Sequence, residues 1–163
     1  MSSPSIAIRR ARADEPEAVR LLADYGAELL ARGRPYSPVD PPPGAAGASW
    51  VEVHEMEPPG GAFLLLFEGS EPVACGGLRT LGPGLGEIKR MYVVPAARRR
   101  GHARRLLGAL ELAAREIGLG RLRLDTNAQQ PEALRLYEVT GYAEIPDYNG
   151  SATATHWFEK ALS

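Results

Sequence analysis

Five arginines crowd one short stretch: Arg98, Arg99, Arg100, Arg104 and Arg105, interleaved with Gly101, His102 and Ala103. Guanidinium groups offer directed donors to phosphate oxygens, and small residues let an anion approach the backbone closely. An apolar segment ending at Val94-Pro95 precedes the cluster, and a long amphipathic segment follows it, so a strand, a short loop and a helix are expected. The first-turn N–H groups of a helix have no intrahelical partner, and the helix dipole disfavours cations there unless an anion is bound. A charge run more often forms a solvated face. Two features speak against that here: the position at a helix start, and the mixing of arginine with Gly and Ala instead of Lys and Glu. The pattern fits a pyrophosphate site. The chain has no G-x-x-x-x-G-K-[ST] and no G-x-G-x-x-G after a strand, which disfavours a P-loop NTPase and a dinucleotide fold.

The elements that would position this loop follow from periodicity. Ser5–Arg10 alternates and predicts a first strand. Asp14 is suited to cap a helix, with Pro16 and Glu17 in its first turn. Val19, Leu22, Gly26 and Leu29 recur at helical spacing, and Gly33 is a stop signal. The stretch 34–49 carries five prolines and two glycines and predicts a loop, beside a short helix around Trp50–Met56. Gly61–Phe67 and Pro72–Thr80 predict two strands joined by a turn at Glu68–Glu71. A turn over Gly82–Gly86 leads to a fourth strand, Glu87–Val94. Its alternation is broken: Ile88 has one parity, Met91 and Val93 the other. One extra residue near Lys89–Arg90 would put all three on one face, as a β-bulge does, whereas a strand covered on both faces would need no alternation.

Arg99–Ile117 carries the clearest helical stripe, Ala103, Leu106, Leu107, Leu110, Ala114 and Ile117, closed by Gly118. A fifth strand is expected at Arg121–Thr126 and a short helix from Pro131 to Gly141 with Leu134 and Tyr137. Tyr142–Ile145 and Thr155–Ala161 predict two last strands. Strands alternating with helices imply a mixed α/β sheet. The 163 residues fit one domain, and one cysteine, Cys75, excludes an internal disulfide and a multi-Cys zinc site. His54, His102 and His156 are scattered, so no metal is expected. The net charge of −1 and the lack of aromatics within Arg98–Arg105 argue against nucleic acid as partner. No apolar signal segment or membrane-spanning run is evident, so a cytoplasmic protein without membrane partners is the expectation.

Arg98-x-x-Gly101-x-Ala103 matches the Q/R-x-x-G-x-G/A signature of the GNAT N-acetyltransferase superfamily. Glu87-Ile-Lys-Arg-Met-Tyr-Val-Val-Pro before it and Pro131-Glu-Ala-Leu-Arg-Leu-Tyr-Glu-Val-Thr-Gly-Tyr after it extend the match. Ile145-Pro-Asp-Tyr-Asn and His156-Trp-Phe-Glu-Lys look like one bacterial branch. The chain therefore resembles this superfamily over nearly its whole length, 34–59 excepted. The resemblance implies a single N-acetyltransferase domain over 1–163. Its fold would be a mostly antiparallel central sheet with a splayed, bulged fourth strand and helices on both faces. It implies acetyl-CoA as cosubstrate, with pantetheine on the backbone of Met91, Tyr92 and Val93. The pyrophosphate would lie on the loop Arg98, Arg99, Arg100, Gly101, His102, Ala103 and Arg104. Tyr137 corresponds to the family's usual proton donor to the departing thiolate. Many members place an Asn against the cofactor where this chain has Gln130; Gln130 and the nearby Asn127 are both candidates for that contact.

The acceptor would be a primary amine of a small molecule or peptide, and a homodimer is compatible with the resemblance. An amine with a pKa near 10.4 lies about 3.4 units, or roughly 4.6 kcal/mol, from its neutral form at pH 7. A positioned base would offset part of this. Glu87 is the first candidate and Asp125 the second, each competing with an ordinary ion-pair role. A backbone N–H freed by the bulge would suit a developing oxyanion. Tyr36, Trp50 and Tyr148 are candidate acceptor-pocket residues, though single aromatics more often pack. The competing function is a non-catalytic acyl-CoA-binding sensor on the same fold.

Overall fold

Leucine, alanine and phenylalanine at alternate positions build a sheet whose two faces carry separate cores. The computed structural model describes residues 3–32, 53–127, 131–151 and 154–163. Seven strands follow in chain order: β1 (Ile6–Arg10), β2 (Gly61–Glu68), β3 (Glu71–Gly82), β4 (Leu85–Val93), β5 (Arg121–Thr126), β6 (Ala143–Ile145) and β7 (His156–Ala161). They form one sheet in the order β1-β2-β3-β4-β5-β7-β6. Every pairing is antiparallel except β4 with β5. Helix α1 (Pro16–Ala31) covers one face, while α2 (His102–Ile117) and α3 (Pro131–Val139) belong to the other. The first core joins Leu21, Leu22, Met56, Phe63, Leu65, Cys75 and Tyr92. The second joins Leu64, Leu66, Leu78, Ile88, Leu106, Leu110, Leu122, Leu124 and Phe158. This is the mixed α/β sheet with helices on both faces that the sequence implied.

Several local expectations need correction. Asp14 does not cap α1; Glu15 occupies the N-cap position without a side-chain bond, and Asp14 Oδ1 instead accepts from Arg12 Nε at 2.9 Å. Val19 is exposed, and Ala18 and Leu21 take the inward positions one turn apart. The short helix before β2 is a 3₁₀ turn, Val53–Met56. The loop 34–49 and Gly33 lie outside the described residues. Helix α2 begins at His102, three residues later than its stripe suggested, because Arg99 and Gly101 both adopt positive φ, 66° and 79°. Gly118 closes it in the left-handed conformation, φ 95°.

Gly61 begins β2 under the 3₁₀ turn. A Cβ there would lie 2.1 Å from the Glu55 carbonyl oxygen and 2.6 Å from that of Leu78, both backbone atoms that cannot swing aside. Gly61→Ala is expected to cost about 1–3 kcal/mol by overpacking. Urea denaturation should show a lower midpoint at unchanged slope; a wild-type midpoint would mean that the turn over β2 yields freely.

Candidate active site

The arginine loop leaves a run of backbone donors at the start of α2. Val94 leaves β4, Pro95–Ala97 make a single 3₁₀ turn, and Arg98 is extended. Two left-handed residues, Arg99 and Gly101, then flank Arg100. Turns of this kind are where successive backbone N–H groups can converge on an anion. The first ladder bond of α2 runs from Arg105 N to Gly101 O at 3.1 Å. The amides of His102, Ala103 and Arg104 are therefore the free first-turn donors, and Gly101 at the N-cap has no side chain to bond them. No acidic residue occupies that first turn.

The five arginines divide into two groups. Arg98 Nε donates to the Val93 carbonyl at 2.9 Å, and its Nη2 reaches both carboxylate oxygens of Glu28 on α1 at 2.7 and 2.8 Å. Its side chain is thus a strut holding the loop to α1. Arg100 Nη1 reaches both oxygens of Glu68 at 2.8 and 2.7 Å. Arg99 and Arg104 are exposed and make no ion pair among the described residues. His102 is not solvated as a loop side chain would be. It is 3% exposed, with Nδ1 3.3 Å from Arg105 Nη1 and Nε2 3.6 Å from Glu68 Oε1. Its backbone N–H remains one of the free first-turn donors.

Beside the loop the sheet opens. β4 and β5 pair only at Leu85↔Arg121, Gly86↔Leu122 and Glu87↔Arg123. β4 then follows β3 to Val93, while β5 follows β7 to Thr126. The divergence coincides with a bulge. Cys75 faces Tyr92 and Gly77 faces Lys89, so Gly76 alone opposes Arg90 and Met91. Arg90 takes φ 59°, and the extra residue brings Ile88, Met91 and Val93 to the α2 face while Tyr92 turns toward α1. The Cys75 thiol donates to the Arg90 carbonyl at 3.4 Å, and burial pushes it up to about 12, which leaves it unreactive. Tyr92 stacks on Tyr25 of α1 with centroids 5.3 Å apart, and Arg98 stands 5.8 Å from its ring. Burial raises the Tyr92 phenol to about 12 as well, with Glu28 and Asp24 adding to the effect.

On the α1 side of the opening, the strands carry a polar cluster. Glu87 is fully buried. Its Oε1 accepts from Arg79 Nε at 2.9 Å, and its Oε2 accepts from the Tyr148 hydroxyl at 2.5 Å. Arg79 Nη1 also bonds Glu55 at 3.1 Å. Lys89 Nζ lies 3.8 Å from Glu87 Oε2 and donates to Asp125 Oδ2 at 3.0 Å, crossing from β4 to β5. Asp125 Oδ2 also accepts from Asn149 Nδ2 at 2.6 Å, and Asn149 Oδ1 accepts from Trp157 Nε1 at 2.9 Å. The two candidate bases thus belong to one network. Tyr137 is elsewhere. It is 5% exposed on α3, with ring centroids 5.7 Å from Tyr142 and 5.9 Å from Phe158. Burial raises its phenol above the ordinary range, and the charge of Asp125 on β5 adds to this.

Comparison with known proteins decides the family. The model of the Acetyltransferase (GNAT) family matches residues 25–142, which include the bulged strand, the arginine loop and α3. The chain belongs to the GNAT acetyltransferase family. It is 35% identical over 147 residues to an uncharacterised N-acetyltransferase of Escherichia coli (strain K12), YjgM, covering 83% of this chain and 79% of the relative. The fold matches an acetyltransferase of the GNAT family from Staphylococcus aureus MU50 with a TM-score of 0.79, at 17% identity over 98% of this chain and 100% of the other. It also matches a PaiA N-acetyltransferase from Thermoplasma acidophilum in complex with coenzyme A, TM-score 0.72, at 15% identity over 97% and 99%.

In this GNAT acetyltransferase the structure brings Glu87, Asp125 and Tyr148 together. It sets Met91, Tyr92 and Val93 along the opening and leads directly from them into the loop. Asn127 follows β5 immediately, while Gln130, Tyr36 and Trp50 lie outside the described residues. Among the described residues no three His, Cys, Asp or Glu side chains gather as a ligand set, and no helix is long and apolar enough to cross a membrane. Sequence reasoning missed Arg79, Lys89 and Asn149. A signal existed: Arg79, Glu87, Lys89, Arg123, Asp125 and Glu159 all take one parity, opposite Leu78, Ile88, Leu122, Leu124 and Phe158. Ionisable residues at alternate positions of four neighbouring strands mark a polar face inside a sheet.

Proposed function

We propose that this protein transfers an acetyl group from acetyl-CoA to a primary amine of a small molecule or peptide, with residues 1–163 working as one domain. The observation that carries the reading is the junction of a bulged, splayed strand with a run of backbone donors at the start of α2. The strands diverge after Glu87↔Arg123, and β4 runs into a loop whose helical first turn carries no acidic residue and whose Arg99 and Arg104 have no carboxylate partner among the described residues. A diphosphate suits these donors, and a thin extended arm suits the opening beside Met91–Val93. The family match and the coenzyme A bound by the Thermoplasma relative support the same cosubstrate.

In this reading, the amides of Arg99–Arg104 hold the pyrophosphate and the two free arginines add charge. The backbone of Met91–Val93 aligns the pantetheine, with Asn127 and Gln130 as the candidate amide contacts to the cofactor. The fully buried Glu87 supplies basic character on the acceptor side, and Tyr137 holds a proton for the departing thiolate. The test is product formation. Purified protein, acetyl-CoA and a panel of amines (amino acids, polyamines, aminoglycosides and short peptides) should release free thiol and yield an N-acetylated product in equal amounts. Acetyl-CoA bound without release of thiol to any amine would favour the sensor.

A further inference from the structure

We propose that Tyr148 is the group that takes the proton from the attacking amine, passing its own to Glu87. This rests on the proposed acetyl transfer. Glu87 is 0% exposed, so no diffusing amine touches its carboxylate in this arrangement. Both of its oxygens are engaged, one by Arg79 and the other by the Tyr148 hydroxyl. The Tyr148 contact, 2.5 Å, lies at the short end for a hydroxyl donating to a carboxylate. Tyr148 is only partly buried and stands on the loop between β6 and β7. Its oxygen donates one hydrogen bond to Glu87 and keeps lone pairs that can accept an N–H. It is thus the outer end of a path whose inner end is a sealed carboxylate.

The loop is fixed on every side that matters. Asn149 is tied to Asp125 and Trp157. Asp147 Oδ1 accepts from the amides of Asn149 and Gly150 at 2.9 and 2.7 Å. The Arg123 guanidinium lies 5.2 Å from the centre of the Tyr148 ring. Arg79 and Lys89 compensate the buried charge of Glu87. Burial raises the proton affinity of the Tyr148 phenol, and the charge of Glu87 raises it further, so the hydroxyl keeps its proton until one arrives from outside. In the transfer, an N–C bond forms to the acetyl carbonyl carbon and the C–S bond breaks. The amine proton moves to the Tyr148 oxygen as the phenolic proton moves to Glu87 Oε2, and the thiolate takes the proton of Tyr137. Glu87 then returns its proton through Tyr148 to solvent, and Tyr137 regains one from solvent. Tyr148 touches the substrate, and Glu87 acts through it.

The experiment compares Tyr148→Phe, Glu87→Gln and Asn149→Ala with wild type, measuring kcat and the KM for one accepted amine. Tyr148→Phe and Glu87→Gln should each lower kcat by about 10²–10⁴-fold with little change in KM. Asn149→Ala loosens the loop but keeps the phenol, and should raise KM while leaving most of kcat. The loss in Tyr148→Phe should shrink for a weakly basic aryl amine, whose nitrogen gives up its proton to water once attack has begun. A Tyr148→Phe effect confined to KM, like that of Asn149→Ala, would show Tyr148 to be a loop pin and overturn the relay alone. Full kcat in Glu87→Gln would overturn it as well. Wild-type protein that transfers acetyl to no amine would overturn the proposed reaction, and the relay with it.

Discussion

Tyr137→Phe should leave acetyl-CoA affinity unchanged and lower kcat by about 10²–10⁴-fold, the usual contribution of a positioned acid. The substitution retains the ring, and with it the contacts to Tyr142 and Phe158 at 5.7 and 5.9 Å. Only the hydroxyl is lost. Burial, with the charge of Asp125 adding to it, raises the phenol above its ordinary range, so Tyr137 is protonated throughout the pH range of an assay. It can give a proton and cannot serve as the base. Raising the phenol also makes it a weaker acid, but a thiolate expelled beside it is poorly solvated too and binds a proton more tightly than in water. Measured kcat equal to wild type would leave Tyr137 as a core aromatic, a role its packing would by itself explain.

The fold was legible because each long element is periodic. The α2 stripe of Leu106, Leu107, Leu110 and Ala114 is buried as its spacing predicts, and β5 spans the expected Arg121–Thr126. The bulge was legible as a parity change between Ile88 and Met91, which one extra residue returns to a common face. Helix starts were less legible. Asp14 had the right chemistry for a cap, but Arg12 two residues away offered its carboxylate a guanidinium, and Glu15 took the position. The start of α2 was misplaced because positive φ at Arg99 is a non-glycine exception that composition does not announce.

For the candidate site, residue types were legible and partnerships were not. A cluster of arginines indicates an anion, yet nothing local shows that Arg98 is bound to Glu28, 70 positions away, or Arg100 to Glu68. Glu87 could be named as an acid–base candidate from its place at the start of a strand. That it is sealed behind Tyr148 depends on where the β6–β7 loop folds, a long-range contact across 61 positions.

Gly101→Glu should weaken acetyl-CoA binding by at least about 100-fold. Gly101 caps α2 at φ 79°, and a Cβ there meets nothing within 4 Å, so the larger side chain projects from the loop without a clash. Left-handed backbone costs a non-glycine residue roughly 1–2 kcal/mol, too little by itself to unfold a domain of ordinary stability. The carboxylate would stand where the pyrophosphate belongs, and like charges in contact cost several kcal/mol, with each 1.4 kcal/mol a factor of ten in affinity. Gly101→Ala carries the same backbone strain without the charge and separates the two effects. Calorimetric titration of acetyl-CoA into wild type, Gly101→Ala and Gly101→Glu is the most direct measurement of whether this loop holds the cosubstrate. The predicted result is one site in wild type, modest weakening in Gly101→Ala and near-complete loss in Gly101→Glu; equal affinity in all three would contradict it.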